Sequence, residues 1–162
     1  MSARTLSAIA AVAYLMSPMA VTGASPELCD VARRLDAAAS SDFRAARAET
    51  IHSEPDFKIF RLDSAHLPPV VSRRSDCELQ VYETQGASVI ECRVVVGGAD
   101  HPTTVRRSRQ LAEALASCLS PAQQQLGNSI HRLVTRTSRW QVLVPVGQTT
   151  MLLDVRPHRP RP

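Results

Sequence analysis

The stretch CELQVYETQGASVIEC, residues 77–92, carries two of the four cysteines of the chain, and its reading decides the fold. CELQV alternates in polarity, SVIECRVVV alternates after it, and ETQG between them has the composition of a tight turn. Centring the turn between Thr84 and Gln85 places Cys77 opposite Cys92, Leu79 opposite Ile90 and Asp76 opposite Arg93. Side chains alternate faces along a strand, so Cys77, Leu79 and Val81 share an apolar side with Cys92, Ile90 and Val94. The same register opposes Glu78 to Glu91, which costs a few tenths of a kcal/mol on a wet face.

Directly opposed strand residues bring their Cβ atoms to ~4.5–5.5 Å, within reach of a disulfide after modest adjustment. Zinc sites pair cysteines two to four residues apart, and neither such a pair nor a C-x-x-C redox motif occurs. The expected state is a Cys77–Cys92 disulfide, with the two other pairings that four cysteines allow left open. Cys29 and Cys118 then remain, each on a segment with helical periodicity. SPELCDVARRLDAAASSDFRAAR has Ser25 as N-cap, Pro26 at the first helical position, and Leu28, Ala32, Leu35, Ala39, Phe43 and Ala46 at three- and four-residue steps. TTVRRSRQLAEALASCLSP puts Val105, Ser108, Leu111, Leu115, Cys118 and Leu119 on one face, and Pro121 ends it. A Cys29–Cys118 bond would tie the start of one helix to the end of the other.

Disulfides require an oxidising compartment, and the first residues agree. Arg4 precedes an apolar run from Leu6 to Met16, followed by small residues, which is the pattern of a secretory leader over residues 1–24. Cleavage is expected after Ala24, or second at Ala20. Glu27 and Leu28 before Cys29 argue against a lipid-anchored cysteine. The apolar run falls short of the ~20 residues of a membrane-spanning helix, and no later stretch approaches that length, so no membrane span is expected after cleavage. About 138 of the 162 residues remain, the size of one domain. The net charge of +4 falls by one with Arg4 and is a statement about solubility. Aromatic residues are scarce, which leaves no stacking platform for nucleic acid. Eighteen of the nineteen cations are arginine, as suits carboxylate or phosphate recognition and equally suits a GC-rich coding bias.

Along the rest of the chain, IHSEPD reads as a break, FKIFRL as a strand, and DSAHLPPVVSRRSD as a loop. PAQQQLGNSIHRLVTRTS reads as a variable connection with one helical turn, and RWQVLV and TTMLLDV as a second hairpin around PVGQ. No internal repeat is visible. The expectation is one α+β domain over residues 25–156, a two-layer sandwich of two helices on one face of a five-stranded, mainly antiparallel sheet in the order α-β-β-β-α-β-β. Residues 157–162, rich in proline and arginine, are expected to be disordered. The order resembles the type III secretion chaperone fold. The spacing SSDFRAARAE … CELQV … VIECRVV … LAEALASCL … RWQVLV resembles small, exported, uncharacterised proteobacterial proteins. The resemblance implies a chaperone-like partner of other proteins, with a leader that the cytosolic secretion chaperones lack.

Chemistry-bearing groups are few. VVVGGADHPTTVRRSRQ runs from a strand through Gly97 and Gly98 into a helix start carrying Arg106, Arg107 and Arg109, where the helix dipole disfavours cations. These five residues are the candidate anion site, against a reading as a solvated helix face. Asp63, Ser64 and His66 gather in one loop, although a triad draws its members from separate elements. His52, His101 and His131 have no acid or cysteine at metal-ligand spacing, and His158 lies in the tail. Trp140 is expected in the core. No catalytic residue, metal or cofactor is assigned. The reading is an exported, disulfide-stapled binding protein of the bacterial envelope, periplasmic or secreted: adaptor, inhibitor or chaperone-like partner of another envelope protein. The alternatives are a small hydrolase using His66 or His131, and a module binding lipid headgroups or acidic glycans.

Overall fold

The computed structural model describes residues 24–68, 76–96, 99–121 and 123–159. Residues 1–23 of the expected leader, Gly97, Gly98 and Arg161 lie outside them. Helix α1 spans Pro26–Ala39, and strands β1 to β4 follow at Arg47–Ser53, Phe57–Leu62, Asp76–Tyr82 and Ala87–Val95. Helix α2 spans His101–Leu119, and β5 to β8 follow at Gln123–Leu126, Ile130–Val134, Ser138–Leu143 and Thr150–Pro157. The sheet therefore has eight antiparallel strands in the order β1-β2-β3-β4-β8-β7-β6-β5, which corrects the expected five. Each half of the chain is a helix followed by a four-stranded meander. The last strand of each half pairs with the other, so the architecture repeats although the sequence shows no repeat.

Three strands escape the sequence reading for physical reasons. The expected first helix runs past Ala39 on paper, but Ser40 and Ser41 turn their hydroxyls back onto the carbonyls of Ala37 and Ala38. Asp42 and Phe43 then take left-handed backbone angles, φ 53° and 58°, and the chain reverses. Phe43 and Ala46 still reach the core, but as a reversal and not as a helical stripe. The freed residues form β1, an edge strand exposed along six of its seven positions and lacking alternation. At the other edge, β5 is QQQL and has no apolar face. Strand β6, IHRLV, does alternate, but a histidine occupies an inward position.

The expected hairpin is present with Cys77 opposite Cys92, Leu79 opposite Ile90 and Glu78 opposite Glu91. Disulfides join Cys77 to Cys92 and Cys29 to Cys118. In the chain-entropy model the 89-residue separation of the second is worth ~4–5 kcal/mol, against ~3 for the 15-residue separation of the first. Leu28, Ala32 and Leu35 of α1 and Leu111 and Leu115 of α2 pack onto the sheet face made by Ile90, Cys92, Leu153, Val155, Val142 and Leu133. Trp140 is in this core.

One carboxylate fastens α1 to the second half. Asp36 Oδ1 accepts from Thr135 Oγ1 at 2.5 Å, Thr137 Oγ1 at 2.8 Å and Ser138 Oγ at 2.5 Å. Ser138 Oγ in turn accepts the Trp140 indole N–H at 2.6 Å. The turn gripped in this way also holds the chain end: His158 donates its backbone N–H to Thr137 O at 2.7 Å, and its Nδ1 lies 2.8 Å from Thr135 O. Of the expected tail, Pro157 closes β8 and Arg159 donates to Asp42 at 2.8 Å, while 160–162 lie outside the described residues.

Asp36→Ala removes the charged acceptor of three hydroxyls, and its expected cost is about 2–3 kcal/mol, because hydrogen bonds to a charged acceptor are the strong ones. Urea unfolding followed by Trp140 fluorescence measures it. A loss within about 0.5 kcal/mol, the usual range for a surface change, would show that the hydroxyls find other partners.

Candidate functional site

Alternation along the strands sends one set of side chains away from both helices, and among the described residues no helix covers that face. Cross-strand register orders it. Arg61 opposes Glu78, Glu78 opposes Glu91, Glu91 opposes Asp154, Asp154 opposes Gln141, and Gln141 opposes Arg132. Arg139 lies directly across from Arg156, two like charges on neighbouring strands. Arg132, Arg139 and Arg156, from β6, β7 and β8, line one concavity of about 290 Å³ together with Val134, Gln141 and Asp154.

Asp154 is the unusual group there. Its side chain is only 17 % exposed and Oδ1 is buried with no hydrogen-bond partner. Oδ2 lies 3.5 Å from Arg156 Nη2. Burial raises its pKa above the usual carboxylate value, and Arg156 offsets this only in part. The concavity thus presents three guanidiniums, with one buried carboxylate oxygen lacking a donor in its wall. Arg132 and Arg139 form no ion pair among the described residues.

The candidates taken from the sequence lie elsewhere. Arg106, Arg107 and Arg109 are exposed on α2; Arg106 donates to Thr103 Oγ1 at 3.0 Å and Arg109 to Glu113 at 3.0 Å. They do not line the concavity. The helix start that was to attract an anion already has one, because the Asp100 carboxylate accepts from Thr103 N at 2.8 Å. The Thr103 side chain and then its backbone N–H hold the Asp100 pKa below the usual value. Gly97 and Gly98 lie outside the described residues.

The side chains of His52, His101, His131 and His158 make hydrogen bonds, and His66 Nδ1 is buried without a partner. Asp63 caps a short turn by accepting from Ala65 N at 2.7 Å and stands 3.9 Å from His66, beyond hydrogen-bond reach. His131 Nε2 lies 3.1 Å from Ser108 Oγ, both residues fully buried between β6 and α2. Ser108 gives its proton to Val105 O at 2.8 Å, so its oxygen accepts from His131. That is the reverse of the polarity that activates a serine nucleophile. Burial, then Arg109, lowers the His131 pKa and keeps the ring neutral. His101 Nδ1 meets Gln148 O at 2.8 Å and His52 Nε2 meets Glu54 at 3.1 Å. No cluster of three His, Cys, Asp or Glu suited to a metal ion occurs among the described residues.

Compared with protein-family models, with curated proteins and with solved structures, the chain matches none.

The raised pKa of Asp154 has a definite sign. Between the ordinary carboxylate value of about 4 and the raised one, the folded state binds more protons than the unfolded state, so this residue's contribution to stability falls as pH rises. Asp154→Asn is expected to raise the thermal midpoint at pH 7 relative to wild type, with the difference shrinking toward pH 3.5. Calorimetry across that range checks it, and a variant less stable at pH 7 would mean that the carboxylate makes a favourable bond in the folded protein.

Proposed function

We propose that the protein is an exported, non-catalytic binding module that holds an acidic segment of another envelope protein against the bare face of its sheet. The observation that carries this reading is the convergence of Arg132, Arg139 and Arg156 on a concavity with one unsatisfied carboxylate oxygen. Guanidiniums take carboxylates bidentately, and Asp154 Oδ1 accepts an N–H. A polypeptide supplies both, acidic side chains for the arginines and backbone N–H groups for Asp154. A simple anion supplies only the first and faces repulsion from Asp154. Two disulfides favour an oxidising compartment, periplasmic or extracellular, and no described helix is long and apolar enough to cross a membrane. A chaperone-like or adaptor role fits a surface that grips a partner without altering it.

An acetylated and amidated peptide of alternating Glu and Ala tests the site. Titrated into isotopically labelled protein at 50 mM salt, it is expected to shift the amide resonances of Arg132, Arg139, Gln141 and Asp154 saturably. Raising salt to 300 mM should weaken binding about tenfold, since exposed charges are screened. The pair Arg132→Gln and Arg139→Gln should weaken it by a similar factor without lowering the thermal midpoint, since Arg139→Gln removes the repulsion from Arg156. Shifts scattered over the surface, or an affinity indifferent to the double substitution, would overturn the reading.

A further inference from the structure

A second concavity, of about 180 Å³, lies between the reversal after α1 and the β3–β4 turn. Its walls include Arg44, Arg47, Arg159, Glu83, Asp42 and Ser88. It shares no residue with the concavity on the bare face.

Two buried polar atoms in this wall have no partner. Ser88 is 5 % exposed, and its Oγ makes no hydrogen bond. Arg47 Nε is buried and likewise unpaired, while its guanidinium stacks 5.0 Å over the Phe60 ring and is held in place there. Arg47 Nε can only donate, and a serine hydroxyl donates as readily as it accepts. Buried donors without acceptors are rare because burying them unpaired is costly, and an acceptor-rich guest relieves both at once.

The carboxylates in the same wall do not serve as that guest. Asp42 is taken by Arg159 at 2.8 Å and Glu83 by Lys58 at 2.9 Å. Lys58 first, and Arg47 last, hold the Glu83 pKa below its usual value, so the acid stays ionised and paired. Arg44 and Arg47 then have no acidic ion-pair partner among the described residues. The volume is below the ~300–1,000 Å³ of drug-sized sites, which restricts the guest to a small group.

We propose that this concavity binds a phosphate group, its oxygens accepting from Ser88 Oγ, Arg47 Nε and the Arg44 guanidinium. The bond from Arg159 to Asp42 closes one side of the site. Arg44 and Arg47, which follow the left-handed turn at Asp42 and Phe43, line the same concavity as Ser88 at the start of β4. Free phosphate and a phosphate-monoester lipid headgroup present the same chemistry, and the test separates them.

Inorganic phosphate is titrated into labelled full-length protein at pH 7 with ionic strength held by chloride. In a parallel arm, vesicles with and without phosphatidic acid are sedimented with the protein. The expected result is saturable shifts at Arg44, Arg47, Gly86 and Ser88. Arg44→Gln should weaken affinity about tenfold and Ser88→Ala at least threefold, with Arg132→Gln without effect. Co-sedimentation that requires phosphatidic acid, and is lost in Arg44→Gln, also supports the site and assigns it to a headgroup. Arg47→Gln serves as a further variant where its thermal midpoint matches wild type. Shifts reproduced by chloride alone, or affinities unchanged in both Arg44→Gln and Ser88→Ala, overturn the proposal.

Discussion

The antiparallel pairing of β4 with β8 is the constraint on which the rest of the molecule depends. It joins two four-stranded halves into one sheet by the fully buried Ile90, Cys92, Leu153 and Val155, flanked by Val94 and Met151. Both helices pack on the buried side of this seam, and the Cys29–Cys118 bond clamps one half to the other above it. On the opposite side the seam places Glu91 next to Asp154. With β8 fixed at the centre, β7 must carry Arg139 alongside Arg156, and the bare-face concavity follows from that order.

Legibility in the sequence tracked how much of the signal was local. The β3–β4 hairpin could be read to the residue because its turn is polar and short, its cysteines share a face, and Leu79 and Val81 alternate with polar residues on β3. Strands β1 and β5 could not, because an exposed edge strand needs no apolar face and shows no period. Strand β6 offered its alternation, but His131 sits where an apolar residue belongs, with Nε2 paired to Ser108 and Nδ1 unpaired. An exposed helical run such as Arg106, Arg107 and Arg109 is conspicuous in a sequence, yet its members project into solvent or pair with Thr103 and Glu113. The arginines that do converge stand on three successive strands, and sheet register brings them together. Reading the β7–β8 hairpin with its register would have opposed Arg139 to Arg156; Arg132 needed β6 as well.

Like charges opposed on a sheet, and polar atoms buried without partners, both lower stability. Both concavities hold such features, Arg139 opposite Arg156 and an unpaired Asp154 oxygen in one, unpaired Ser88 Oγ and Arg47 Nε in the other. His66 Nδ1 and His131 Nδ1 are unpaired outside them. Uncompensated polar groups that line a concavity are the ones a guest can satisfy, and both proposed sites rest on them. The two concavities differ in what they lack. On the bare face arginines surround an acceptor that needs a donor, which suits a peptide. Beside the β3–β4 turn, donors need an acceptor, which suits a phosphate.

Native-state hydrogen exchange at the seam tests the central claim most directly. If β4 and β8 join the halves into one cooperative sheet, the amides of residues 90–94 and 151–155 that bridge the two strands are the slowest in the protein. Their opening free energy should then equal that of global unfolding. Exchange of those amides well ahead of the β3–β4 and β7–β8 ladders would mean that the halves separate as independent units, contradicting a single eight-stranded sheet.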